Sequence, residues 1–165
     1  MTADAEEISA RLVGLLPRLR RFARSLSRNQ HDADDLVQVV LERALRNLEQ
    51  FREDANLASW LFGIMKNAWI DLCRTRGRRA EVALPEDSGE HPAVSPADTG
   101  AGLWSVSEAM SKLPEDQRLA VALVLVEGMS YKEAAAVLEI PVGTLTSRLA
   151  RGRTALAAAL QEGSA

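Results

Sequence analysis

Thr144, Ser147, Arg148 and Arg151 recur at i, i+3, i+4 and i+7 within MSYKEAAAVLEIPVGTLTSRLARGR (Met129 to Arg153), so on a helix they form one stripe. Arginine forks match purine edges, hydroxyls and guanidiniums bind phosphates, and the major groove admits a single helix. The chemistry on offer is recognition of intact duplex DNA. No acidic residue lies between Ile140 and Gln161 to repel phosphates. A solvated helix in an ordinary bundle would carry the same stripe, so the reading depends on what positions it.

Leu145 and Leu149, four apart, give this helix an inward face opposite the stripe. Upstream, Ser130 and Glu133 have the spacing of a capping box, which starts a helix whose Ala134, Ala135 and Leu138 pack closely. Glu139, Ile140 and Pro141 then break the pattern, because proline cannot donate an interior helix bond. Two short helices with a tight corner make a helix-turn-helix, and the capping box, the proline corner and the acid-free second helix together favour DNA over the bundle. Before it, Leu103, Val106, Met110 and Leu113 mark one helix, and Pro114 opens another that carries Glu115 and Asp116 in its first turn and stops at Gly128. The result is a four-helix module in which Arg118 is expected to support the recognition helix rather than read bases.

The N-terminal half has a different character. Ile8, Leu12, Leu15, Leu16, Leu19, Phe22 and Leu26 predict an amphipathic helix from about Asp4 to Ser27, kinked or restarted at Pro17. Asp32 is placed to cap a second helix with Leu36, Val37, Val40, Leu41, Ala44 and Leu48 inside. Its outer face carries Asp35, Gln38, Val39, Glu42, Arg43 and Arg46, with Val39 as a candidate dry centre of a protein-docking surface. The polar QFREDAN segment leads into a third helix with Leu57, Leu61, Ile64, Ala68 and Leu72 inward, ending at Gly77. There Trp60, Phe62 and Trp69 interleave with Lys66, Asn67, Arg74 and Arg76, a combination able to stack unpaired bases and follow a strand's phosphates. Trp60, set between Leu57 and Leu61, reads better as core.

From Glu81 to Gly102 the chain has three prolines, several glycines and serines and no lysine or arginine, which reads as a flexible acidic linker. The chain is thus expected to be all-α: two small helical domains, residues 1–80 and 103–165, joined by residues 81–102. The 165 residues are 47% hydrophobic but only 4% aromatic, rich in alanine and leucine, and no sheet is expected. With a net charge of -3, any DNA binding must come from local patches. Cys73 is the only cysteine and the two histidines are distant in sequence, so neither an internal disulfide nor a metal site is expected, and no cofactor. No apolar run is long enough to span a bilayer, no leader pattern is seen, and no phosphate loop or nucleophile, base and acid grouping points to an enzyme. A cytoplasmic protein is expected.

The order of three segments carries a resemblance: DADDLVQVVLERALRNLEQF (Asp32 to Phe51), WLFGIMKNAWIDLCRTRGRR (Trp60 to Arg79) and LPEDQRLAVALVLVEGMSYKEAAAVLEIPVGTLTSRLARGR (Leu113 to Arg153). The chain resembles bacterial sigma factors of the extracytoplasmic-function, or group four, family along nearly its whole length. Its RRFARSLSRNQHDADDLVQ text also resembles the branch that runs the general stress response in alphaproteobacteria. The resemblance implies a sigma region 2 domain and a sigma region 4 helix-turn-helix domain. It implies a protein that directs core RNA polymerase to promoter DNA without catalysis of its own, held in check by an anti-sigma factor. Core polymerase docking would fall to Asp34, Asp35, Leu36, Gln38, Val39, Glu42 and Arg43, with Val39 standing where relatives often carry an acid. The minus-ten element would be held by Asn56, Lys66, Asn67, Arg74 and Arg76, and the minus-thirty-five element read by Thr144, Ser147, Arg148 and Arg151 with Thr146 near the backbone. Two other readings remain: a sigma-like adaptor or decoy that binds an anti-sigma factor without reading DNA, and a stand-alone helix-turn-helix repressor. The decoy should have lost its groove residues, and the repressor needs a dimerising helix.

Overall fold

A computed structural model describes residues 3–82 and 101–163, and among these the regular structure is entirely helical. Helices α1 (Ala3–Leu26), α2 (Gln30–Arg46) and α3 (Leu57–Val82) form the N-terminal domain, with a short 3-10 turn, Leu48–Gln50, after α2. The C-terminal domain comprises α4 (Ala101–Ser111), α5 (Glu115–Val121), α6 (Tyr131–Leu138) and α7 (Val142–Glu162). The stretch expected to be a linker runs from the end of α3 to the start of α4, and residues 83–100 of it lie outside the described residues.

Helix α1 neither stops nor restarts at Pro17; it runs through it. The missing N–H forfeits one bond to the carbonyl of Val13, a residue 65% exposed, where water is at hand. The buried Leu12, Leu19, Phe22, Ala23 and Leu26 hold the helix on either side of the gap, with Phe22 edge-on to Phe62 of α3 at 5.0 Å. The cap of α2 is Asn29, not Asp32: the Asn29 side chain accepts the His31 N–H at 2.8 Å. Asp32 sits one turn further in and instead binds the Arg76 guanidinium of α3 at 2.7 Å. Helix α3 passes the expected stop at Gly77 and ends at Val82, since a single exposed glycine costs a helix only about 1 kcal/mol.

The C-terminal module follows the sequence more closely. Pro114 caps α5, whose chain widens after Val121 into a π turn, Ala122–Val126, closed by the Glu127 N–H on the Ala122 carbonyl at 3.0 Å. Gly128 then reverses the chain at φ 69°. Ser130 and Glu133 form the full capping box: the Ser130 hydroxyl accepts the Glu133 N–H at 3.1 Å and the Glu133 carboxylate accepts the Ser130 N–H at 3.0 Å. Glu139 turns the corner in the left-handed region, φ 57°, and Pro141 caps α7. Apolar side chains of both domains meet in one contiguous core, from Leu19, Phe22 and Phe62 on one side to Leu123, Leu145 and Leu149 on the other.

Candidate nucleic-acid and polymerase-docking surfaces

Helix α7 places its sequence-marked residues on two sides as the periodicity demands. Leu145 and Leu149 are buried against the domain, while Thr146, Ser147 and Arg151 are exposed and Thr144 and Arg148 are half-buried. Thr146 turns its hydroxyl back to the Val142 carbonyl at 2.9 Å. Arg148 lies 3.6 Å from the Asp116 carboxylate, a neighbour from α5 that sequence spacing does not reveal. In a groove this guanidinium must leave a partly exposed acid for a phosphate or base, a small exchange for a pair of this kind. The setting of α7 against α5 depends on Gly152: a Cβ there would come within 2.7 Å of Val121 Cγ2 and 3.3 Å of the Gln117 carbonyl oxygen.

The set expected on α3 does not share one face. At 100° per residue Asn67 and Arg74 lie side by side, and both are exposed. Arg76 faces the other way and is occupied by Asp32. Lys66 is buried, its side chain 7% exposed, and its ammonium bonds Glu139 at 3.3 Å. Asn56 caps α3, its side-chain oxygen accepting the Ser59 N–H at 3.1 Å. None of the three aromatic residues of α3 offers an open face for a base: Phe62 and Trp69 are buried and Trp60 is half-buried against Phe51 at 5.2 Å. Trp69 donates its indole N–H to Glu115 of α5 at 2.6 Å.

On α2, Asp34, Asp35, Gln38 and Glu42 are exposed and Arg43 is half-buried with Asp71 of α3 at 3.5 Å. Leu36 is only 3% exposed and belongs to the core, so it backs this surface rather than forming it. Val39, expected as a dry centre in the open, is half-buried and packed on the core. The exposed apolar residue of this helix is Leu45, six residues further on, which the sequence reading passed over.

Sequence reasoning also missed the residues that join the domains. Glu127, at the end of the π turn, has a side chain 0% exposed and accepts two bonds from Arg21, at 3.0 Å each, and one from Arg18 at 3.3 Å. The bonding carboxylate raises the pKa of Arg21 above its ordinary value. Arg118 is buried as expected for a supporting role, but its reach is wider: it donates to the carbonyls of Met110, Ser111, Leu113 and, across the domains, Leu26, all within 3.0 Å. A lone acid after the apolar run LVLV is the one sequence signal that marks Glu127. Cys73 is half-buried near Glu115, and burial first, then that carboxylate, push its pKa to about 11. Among the described residues no group of acids, histidines and cysteine is arranged to hold a metal, and no helix is long and apolar enough to cross a membrane.

Two all-α domains, one of them built around a helix-turn-helix, define a DNA-binding protein of modular design. The family models of Sigma-70 region 2 and Sigma-70 region 4 match residues 13–79 and 103–156. The chain is 40% identical over 153 residues to the ECF RNA polymerase sigma factor EcfG of Rhodopseudomonas palustris, covering 90% of this chain and 82% of that one. It superposes on the sigma factor RpoE of Bartonella quintana, solved with the anti-sigma factor NepR, with a TM-score of 0.80 and 34% identity over 94% and 98% of the two chains. CnrH, solved with the cytosolic domain of CnrY, follows at a TM-score of 0.66 and 31% identity over 92% and 88%. The chain belongs to the extracytoplasmic-function group of the sigma-70 family. It is a transcription initiation factor that binds core RNA polymerase and directs it to promoters, not an enzyme, and the adaptor or decoy reading is not favoured.

Proposed function

We propose that the two domains divide promoter recognition between them. Residues 1–80 dock on core polymerase through the exposed acids of α2, Asp34, Asp35 and Glu42, with Gln38, and hold the unpaired minus-ten strand through Asn67 and Arg74, with Lys66 joining when it is uncovered. Residues 103–165 read the minus-thirty-five duplex through Thr144, Ser147, Arg148 and Arg151. Residues 81–102 tether the two. The protein works in the cytoplasm, in a stress response, under an anti-sigma factor. That last element is supported by the solved relative RpoE, which was captured with the anti-sigma factor NepR. The observation that carries the reading is the stripe on α7, with Ser147 and Arg151 exposed opposite the buried Leu145 and Leu149, in a helix free of acids until Glu162.

Run-off transcription with purified core enzyme and genomic promoter fragments tests it. Arg151→Ala is expected to lose about 1–3 kcal/mol of promoter discrimination if it reads a base, and less if it binds only phosphate. Asn67→Ala is expected to retain duplex binding but lose permanganate-reactive thymines at the start site. Absence of promoter-specific transcripts from every fragment would overturn the proposal.

A further inference from the structure

Helix α1 and the corner after it hold six arginines, Arg11, Arg18, Arg20, Arg21, Arg24 and Arg28, with no acid between Glu7 and Asp32. Arg18 and Arg21 are taken up by Glu127. Arg20, Arg24 and Arg28 are exposed, and among the described residues none of their side chains has a hydrogen bond or an ion pair. Elsewhere in the domain Arg43, Arg52 and Arg76 each sit on a carboxylate. Residues four apart lie one turn apart on a helix, so Arg20 and Arg24 point the same way, and Arg28, just past the helix end, continues the row. The fold draws little from it. A helix dipole favours cations only within the last turn, which covers Arg24 but not Arg20, and like charges four apart repel.

The composition of the row selects its partner. From residue 18 to residue 30 the exposed residues are Arg20, Arg21, Arg24, Arg28 and Gln30, with no apolar side chain to make the dry centre of a protein interface. Nor is there an aromatic ring on which an unpaired base could stack. A row of guanidiniums alone matches a row of phosphates on intact duplex. Its position agrees. Asp32, in the first turn of α2, bonds Arg76 at 2.7 Å, which sets the corner bearing Arg28 beside the end of α3, where Arg74 and Arg78 are exposed. We propose that Arg20, Arg24 and Arg28 form a phosphate track for the double-stranded DNA between the two promoter elements, an inference that rests on the assignment of α3 to the opened strand and of α7 to the minus-thirty-five duplex. Phosphate contacts carry no sequence information; they fix where the duplex lies as it runs from one reading site to the other.

Equilibrium binding of the full chain with core enzyme to a duplex promoter fragment that yields run-off transcripts tests the track, read by fluorescence anisotropy from about 50 to about 200 mM salt. Each phosphate neutralised adds about 0.9 to the steepness of log K against log salt concentration. Changing Arg20→Gln, Arg24→Gln and Arg28→Gln together should therefore lower the slope by about 2.7, so that the affinity lost over that range shrinks by about 40-fold. Lysine at the same three positions keeps the charge and should keep the slope, and binding of a single-stranded minus-ten oligonucleotide should change in neither variant. Arg20→Gln alone, expected to lower the slope by about 0.9, repeats the test if the triple variant folds poorly. An unchanged slope at an unchanged circular dichroism spectrum overturns the track and leaves a solvated face. Weaker assembly with core enzyme at an unchanged slope overturns it in favour of an acidic protein surface, and weaker binding of the single-stranded oligonucleotide overturns the choice of duplex. These failures leave the parent reading standing. If the unsubstituted protein with core enzyme yields no promoter-specific transcript from any fragment, the parent reading falls and the track falls with it.

Discussion

Gly152 offers the sharpest test of how the recognition helix is held. It lies near the middle of α7, where alanine would ordinarily gain about 1 kcal/mol of helix propensity over glycine. Here the added methyl meets Val121 Cγ2 at 2.7 Å and the Gln117 carbonyl oxygen at 3.3 Å. Val121 is fully buried and β-branched, so it has no free rotamer into which to retreat, and the carbonyl belongs to helix backbone. Overpacking of this kind costs about 1–3 kcal/mol, which offsets the propensity gain and leaves a net loss of up to about 2 kcal/mol. For a chain of this size that lowers the melting midpoint by about 2–4 °C per kcal/mol. Because α7 must back away from α5, promoter-specific transcription should fall even where the protein stays folded. Thermal unfolding and run-off transcription on Gly152→Ala give both quantities. The double variant with Val121→Ala should recover part of the loss, a coupling expected only of residues in contact. If Gly152→Ala proves about 1 kcal/mol more stable than the parent, the helix pair separates freely and the reasoning fails.

Four further outcomes are expected. Arg118→Met removes the donors to four carbonyls, Met110, Ser111, Leu113 and Leu26, and should cost about 3 kcal/mol or more by urea denaturation, because several acceptors are left in a dry site; a loss below about 1 kcal/mol would mean that water replaces it. Cys73, with its pKa raised from 9.0 to about 11, should hold about a hundredfold less thiolate at pH 8 than an unperturbed thiol, and iodoacetamide should modify it far more slowly in the native protein than in urea. The folded state keeps this proton while the unfolded chain loses it, so Cys73 lowers stability as pH rises from 9 toward 11, and Cys73→Ser should flatten that part of the profile. Asp35→Arg reverses an exposed charge on α2 and should abolish co-purification with core polymerase while leaving the unfolding midpoint within a few degrees.

The helix-turn-helix was legible in the sequence because each of its parts is local. A capping box spans four residues, a proline is well placed at the start of a helix as Pro141 is before α7, and the inward leucines of α7 follow from a period of 3.6. The places where sequence reasoning missed are those where a local preference was weak. Asp32 and Asn29 are both good caps, and the choice fell to Asn29 while Asp32 was taken by Arg76, forty-four residues away in the chain. Glycine at 77 costs a helix only about 1 kcal/mol and proline at 17 about 3 kcal/mol, and the packing of α1 through Leu12, Leu19, Phe22 and Leu26 outweighs even the larger of these. Leu36 and Val39 were assigned to a docking surface with their neighbours, yet the turn of α2 against α1 and α3 carried one into the core and left the other half-buried.

Sequence alone carried the helical class and the exposed face of α7, since periodicity and spacing encode those directly, and it carried the family through the resemblance of three ordered segments. It was silent on which charges face each other across the molecule. Glu127 reads as a lone acid at a helix end, and Arg18 and Arg21 as part of a solvated basic run, until the two domains pack and more than one hundred residues of chain close on a single carboxylate. Pairings of that separation are chosen by the fit of whole surfaces and by the need to neutralise a buried charge, and only the tertiary structure supplies those conditions.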